Sequence, residues 1–349
     1  VPLSLLKTNT MLKKILIASA ICCTIVPSFA QKDSTKKNPT IISAYVEGYY
    51  RGLLKNGGGS NNNFTSFTNA HNRFNLGMAS IKVDQTLQKF TASLDLGIGK
   101  RADEFSYNDK NILKNIKQAT LSYAVNDDLK LTAGKFATHI GYELLDATSN
   151  RNYSMSYGFS YGPFFHTGFK ADIVIGKKTA LMVGIVDPTD HSSFNNKPKY
   201  IIAQISTASK NDKVKGYFNF LNGDLTTQYN LVVIASITNK VSTAFDASIN
   251  QQKFGTRGSS WSSKAFYINY DITEKLGLTV REDFFSDRTI SPIGVGSVNA
   301  TTLSGKIKMN KVTIIPEVRI DRGITPLFST KTGTASNASN FIVAAIYAF

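Results

Sequence analysis

Beyond its first thirty residues the 349-residue chain contains no run of 18 or more apolar residues. A hydrophobic α-helix needs about 20 such residues to cross a bilayer, so a helical membrane span is excluded there; strands are not. Cysteine is nearly missing too. Cys22 and Cys23 are the only two, and both fall in an amino-terminal segment that reads as removable, so the remainder carries no thiol, no disulfide and no cysteine-based metal site. The four histidines, His71, His139, His166 and His191, form no His-x-x-x-His pair for zinc. No Gly-x-Ser-x-Gly nucleophile elbow occurs. Gly57 to Gly59 precede neither a Lys-Ser/Thr pair nor a strand-to-helix junction, so they read as a loop tip and not a phosphate cradle. His139 and His166 flank one long loop and are the only histidines that the reading brings near each other. Neither an enzymatic activity nor a cofactor is expected.

What is present starts at Met11. Lys13 and Lys14 precede the apolar run Ile15 to Val26, followed by Pro27, Ser28, Phe29 and Ala30 before polar Gln31. This is the layout of a secretory signal peptide, with small residues at Ser28 and Ala30 for the peptidase and cleavage after Ala30. Residues 1–10 lie upstream of it as an extension. The residues before Cys22 do not suit lipid attachment. Residues 31–40, polar and Lys-rich, read as a flexible periplasmic lead-in, and residues 41–349 as one domain. The chain carries 40 Lys and Arg against 24 acids, a net charge of +16; without residues 1–30, which hold three lysines and no acid, the balance is +13. The lysines are spread along the sequence, and an exported protein meets no nucleic acid, so no nucleic-acid partner is expected. Positive loops suit an anionic, lipopolysaccharide-bearing surface.

The strongest pattern is strict alternation. Phe90, Ala92, Leu94, Leu96 and Ile98 fall on one side of an extended segment, and Thr91, Ser93, Asp95 and Gly97 on the other. Thr167, Phe169, Ala171 and Ile173 oppose His166, Gly168, Lys170 and Asp172. Val312, Ile314, Pro316, Val318 and Ile320 oppose Lys311, Thr313, Glu317, Arg319 and Asp321. The last strand places Phe341, Val343, Ala345, Tyr347 and Phe349 on one face and stops on an aromatic carboxy terminus. A soluble sandwich also alternates, with its apolar face inward. Strands of about ten residues, against a globular average of ~5–6, and aromatics gathered near strand ends, as at Tyr49–Tyr50, Phe164–Phe165 and Phe284–Phe285, favour a membrane barrel.

Short polar turns fall near 86–88, 126–128, 176–178, 209–212, 239–240, 273–275 and 309–311. Between them lie mostly longer connections at about 53–71, 100–114, 139–161, 187–198, 222–226, 254–262, 287–296 and 322–338. The count predicts an all-β, antiparallel, up-and-down transmembrane β-barrel of about 16 strands (14–18), with short periplasmic turns, longer extracellular loops and both termini on the short-turn side. Charges of both signs fall on the polar, lumen-facing positions: Glu47, Arg51, Asp95, His166, Lys170, Asp172, Arg281, Asp283, Glu317, Arg319 and Asp321 are the candidate channel-lining residues. Wall-stiffening ion pairs are the competing reading for each. Two residues break the pattern. Glu282 shares the face of Leu278 and Val280, so it sits at the headgroup rim or a bulge shifts the phase; Lys135 raises the same question, with Gly134 able to host a bulge. The single Trp261 is expected at a loop-to-strand junction as an interfacial anchor. Part of loop 139–161 is expected to fold into the lumen, with an extracellular flap as the alternative.

The stretches Gly134–Glu143 (GKFATHIGYE), Asn150–Tyr157 (NRNYSMSY) and Gly162–Gly168 (GPFFHTG) are the most distinctive in the chain. Together with Tyr45–Tyr50 (YVEGYY), His71–Asn75 (HNRFN), Arg281–Asp287 (REDFFSD) and Pro316–Asp321 (PEVRID), in this order and spacing, they resemble the OmpL-like family of β-barrel porins over most of the chain. The resemblance implies a water-filled pore in the outer membrane of a Gram-negative bacterium, for passive diffusion of small hydrophilic solutes or ions. Its partners would be outer-membrane lipid and lipopolysaccharide, the solutes, and the barrel insertion machinery, for which Tyr347 and Phe349 are the expected C-terminal signal. A monomer or a homotrimer would carry that function. The alternatives are a non-conducting structural or adhesive barrel plugged by its own loops, and a secreted soluble β-protein.

Overall fold

A sheet with lipid on one side can leave no backbone N–H or C=O unpaired at an edge, and closing it on itself removes the edges. The computed structural model describes residues 39–55, 62–193, 198–254, 257–287 and 296–349, and in it the sheet closes. The signal peptide and its upstream extension, most of the lead-in, and Gly57 to Gly59 lie outside the described residues. Among the described residues no helix is long and apolar enough to cross a membrane.

Sixteen antiparallel strands form the barrel. The first eight are β1 (Thr40–Lys55), β2 (Arg73–Leu87), β3 (Phe90–Ile98), β4 (Ile116–Ala124), β5 (Leu129–Ala137), β6 (Phe165–Gly176), β7 (Thr179–Val186) and β8 (Tyr200–Ala208). Then come β9 (Val214–Asn222), β10 (Thr226–Ser236), β11 (Val241–Phe254), β12 (Arg257–Asp271), β13 (Leu276–Asp287), β14 (Ser297–Met309) and β15 (Val312–Gly323). A small hairpin, β16 (Phe328–Ser329) with β17 (Thr334–Ala335), occupies the last loop, and β18 (Asn337–Ala348) returns to pair with both β15 and β1. At this seam Ala44 and Phe349 exchange two backbone hydrogen bonds of 2.9 Å, so the final residue locks the first strand.

Seven connections, at 88–89, 125–128, 177–178, 209–213, 237–240, 272–275 and 310–311, all short, share one end of the barrel with the start of β1 and the end of β18; the long connections lie at the other end, together with the short ones at 223–225 and 255–256. Alternation sorts the side chains as a lipid-facing cylinder requires. Outward Leu94 and Val318 are 43% and 42% exposed, whereas their neighbours Asp95 and Arg319 are 1% and 2%.

Four local expectations are resolved or corrected. The connection expected at 254–262 is far shorter, because β11 and β12 continue as a ladder to Phe254 and Arg257. Trp261 is therefore no junction anchor: it lies within β12, points into the barrel and packs in tilted contact with Phe285 at 5.8 Å. Glu282 stays on the outward face, with an unbroken register from Leu276 to Ser286. It pairs with Phe266 and Thr301, and the next outward level holds Lys264, Asn299 and Arg322 around a single aromatic, Phe284, so the aliphatic belt gives way there to an interfacial ring and the carboxylate sits at its rim. Lys135 does not face lipid. The loop after β3 covers it, and its ammonium donates to Asp109 (2.9 Å) and Ser106 (3.1 Å) over the Phe165 ring. Gly134 takes a φ of 123°, and a Cβ there would stand 2.0 Å from the Ala119 carbonyl oxygen, so only glycine fits.

Candidate functional site: the lumen and the loop inside it

The connection between β5 and β6, residues 138–164, folds into the barrel. Its path follows from its charges. Glu143, Asp146 and Arg151 are the only ionisable acidic or basic side chains in it apart from His139, and each meets a wall residue of opposite sign. Glu143 accepts from Arg281 on β13 at 2.7 Å, Asp146 pairs with Lys117 on β4 at 2.7 Å, and Arg151 forks onto Asp271 of β12 at 2.6 and 2.9 Å. Asp271 ends its strand beside a short turn, so the loop runs almost the depth of the barrel.

Its backbone is held as firmly. Glu317 accepts from the amides of Tyr153 (2.9 Å) and Ser154 (3.2 Å) and from Ser304 (2.7 Å). Arg281 also donates to the Ser154 and Met155 carbonyls, at 2.6 and 3.2 Å, and stands 3.0 Å from Asp283. Arg319 donates to the Met155 carbonyl at 2.7 Å and to Asp321, while the Tyr157 hydroxyl donates to Asp321 at 2.8 Å. Asp246 accepts from the Tyr142 amide at 2.9 Å. Charge-assisted bonds of this kind satisfy wall groups that would otherwise be stranded away from water.

The connections after β1 and after β3 add to the plug. Arg101, from a short helix at Lys100–Phe105, reaches Glu47 on β1 at 2.7 Å and lies over the Tyr153 ring. Arg51 donates to the Ala70 carbonyl at 3.0 Å. Asp95 is held by Lys117 and Ser80, both at 3.0 Å. Apolar contact completes the seal: the inward residues Ile342, Ala344 and Ile346 of β18 share a buried cluster with Tyr153, Met155 and Leu145 of the inner loop.

The eleven inward residues singled out from sequence thus divide. Glu47, Arg51, Asp95, Arg281, Asp283, Glu317, Arg319 and Asp321 are buried against loops or one another. His166 is buried as well, its ring 5.3 Å from that of His139, so the two loop-flanking histidines do meet. Lys170 and Asp172, 3.1 Å apart on β6, stay partly exposed, at 21% and 14% of their side-chain surface. They belong to a strip along β2–β9, with Lys82 and Asp84 (3.3 Å apart), Lys130 (3.6 Å from Asp172) and Gln204, where inward polar side chains keep solvent. Tyr347 and Phe349 point outward at the seam, with rings 5.7 Å apart.

Sequence reading missed Arg101, Lys117, Glu143, Asp146 and Arg151. The available signal was complementarity: a loop with so few charges, inside a wall with many, is free to match them one by one. At the rim, Asp190 follows β7 and accepts from the amides of Phe164 (2.7 Å) and Phe165 (3.0 Å) and from the Tyr107 hydroxyl (3.2 Å). Burial outweighs these bonds and pushes its carboxyl up to about 6. Among the described residues no cluster of three or more His, Cys, Asp or Glu is arranged to hold a metal.

Comparison with known proteins agrees with this architecture. The family model described as "Putative beta-barrel porin-2, OmpL-like" matches residues 39–349. Among solved structures, the outer-membrane channel DcaP of Acinetobacter baumannii is similar, with a TM-score of 0.61 at 12% identity, over 92% of this chain and 100% of that one. The trimer form of OmpT from Vibrio cholerae gives 0.63 at 10% identity over 89% and 99%. An anion-selective porin from Comamonas acidovorans gives 0.60 at 10% identity over 90% and 100%. No curated protein matches the sequence. These structural likenesses concern the fold; the family match covers the whole barrel, and the chain belongs to that family.

Proposed function

We propose that this member of the OmpL-like porin family is an outer-membrane channel through which small hydrophilic solutes or ions diffuse down their own gradients. The observation that carries the reading is the partly exposed polar strip on the inward face of β2–β9. A solute moving along it meets Lys82, Asp84, Lys130, Lys170 and Asp172, whose charges of both signs set a transverse field. Lys170 and Asp172 are the candidate lining residues that touch solute. The other nine act one step back, by fixing how far loop 138–164 intrudes and hence the bore.

Export by a signal peptide cleaved after Ala30, insertion by the barrel machinery reading Tyr347 and Phe349, contact with lipid and lipopolysaccharide, and assembly as a monomer or homotrimer complete the proposal. The test is single-channel recording in planar bilayers. Discrete current steps are expected, and deletion of residues 145–156 should enlarge them several-fold; an unchanged step size would overturn the constriction role. A second reading, a non-conducting structural barrel, is favoured by the apolar packing of β18 on the inner loop. Complete absence of steps from a folded, heat-modifiable preparation would decide for it.

A further inference from the structure

A cavity of about 780 Å³ opens at the long-loop end, where the connections after β1, β3, β5 and β7 meet the ends of β9–β13. It lies above the inner loop, at the extracellular entrance on the reading just given. From its lining we infer a binding site for a neutral, polyhydroxylated solute of saccharide type.

The lining is selective in what it omits. Among the described residues no lysine or arginine contributes to it, in a chain that carries 40 of them, so an anion finds no counter-charge. Of its three carboxylates, Glu104 accepts from the Phe67 amide at 2.6 Å and from Asn69 at 2.9 Å, Asp190 is held as described above, and Asp287, at the end of β13, stands in the wall as an acceptor for solute hydroxyls. Beside them lie amides and hydroxyls: Gln228 and Asn250, bonded to each other at 3.0 Å on adjacent strands, Gln252 above them, and Thr226, Ser160 and Ser259 around them. A side-chain amide offers donors and an acceptor together, which is what a hydroxyl needs, since it too is both.

The apolar part of the lining is largely aromatic. Trp261 and Tyr161 both pack in tilted contact with Phe285, at 5.8 and 4.6 Å between centroids, which fixes their rings in the wall of the cavity. Rigid rings beside convergent polar groups suit a ligand with C–H faces and O–H edges. The volume is within the ~300–1,000 Å³ of small-molecule sites. The site therefore selects by hydrogen-bond pattern and ring stacking, and the basic balance of the whole chain plays no part in it.

Trp261 is the only tryptophan in the sequence, so its emission reports on this cavity alone. The experiment titrates the refolded, detergent-solubilised full barrel with maltotriose, with citrate and trilysine as anionic and cationic probes of comparable size. A saturable change with maltotriose is expected, with half-saturation on the order of millimolar. Gln252→Ala and Tyr161→Ala should each weaken it about fivefold or more while the protein keeps its heat-modifiable migration. No saturable change with maltotriose overturns the site. Equal affinity for citrate or trilysine overturns the assigned class, as does unaltered affinity in both variants. The inference rests on the channel reading only for its placement at an entrance, and emission needs no current: a barrel that binds maltotriose but never conducts overturns the channel and leaves the site.

Discussion

Arg281 shows at the residue scale why the wall charges are structural first. Its guanidinium holds Glu143, two loop carbonyls and Thr302 at once, beside Asp283. Replacing it with methionine strands buried carboxylates, a change that costs about 3–5 kcal/mol when one partner of a buried pair is removed. The urea midpoint of Arg281→Met in detergent micelles should fall accordingly, and Arg281→Lys should recover only part, since an ammonium cannot fork onto several acceptors. Asp190 gives a pH dependence of known sign. Its folded-state pKa, about 6, exceeds the unfolded carboxylate value, so the folded state holds the proton more tightly. Its contribution is greatest below the unfolded value and is lost as pH rises through about 6. Asp190→Asn, neutral throughout, should therefore be more stable relative to the parent at pH 8 than at pH 4, read as the difference in urea midpoints; a gap that does not grow with pH rules the linkage out.

At the scale of elements, turns were legible because each concentrates Asn, Asp, Lys or Gly where the chain reverses; Asn126 to Asp128 and Ser209 to Asp212 are examples. Loop 254–262 was misread for the same reason in reverse. Gly258, Ser260, Ser262 and Lys264 carry turn chemistry, yet they occupy the outward positions of β12 above the apolar belt, where a strand no longer needs greasy side chains. Parity correctly places wall charges on the inner face, but period two says nothing about what covers them. That cover comes from segments up to 164 residues away in sequence, as between Tyr157 and Asp321. Gly134 tests local geometry: Gly134→Ala forces a Cβ against the Ala119 carbonyl and should lower the thermal midpoint, with a backbone strain of roughly 1–3 kcal/mol.

Over the whole molecule, net charge is a poor guide to selectivity. Many lysines are paired or lie at the turn and loop ends, as in Lys178 with Asp212 and Lys114 with Asp103. The partly exposed strip is the place to alter: Lys130→Glu together with Lys170→Glu should move the reversal potential in a salt gradient toward cations, and an unmoved potential would place the current elsewhere. Spin labels give the orientation directly, with those at Leu94 and Val318 expected to meet lipid-soluble oxygen and those at Asp95 and Arg319 not. The double-sided strand β18 carries one further consequence. Because its inner face rests on Met155 and Tyr153 while its outer face meets acyl chains, the seam cannot zip onto an empty cylinder without leaving Ile342 and Ile346 bare to water. A filled lumen therefore favours a closed seam, and a barrel lacking residues 145–156 is expected to hold the Ala44–Phe349 hydrogen bonds less tightly, read as faster amide exchange at those two residues.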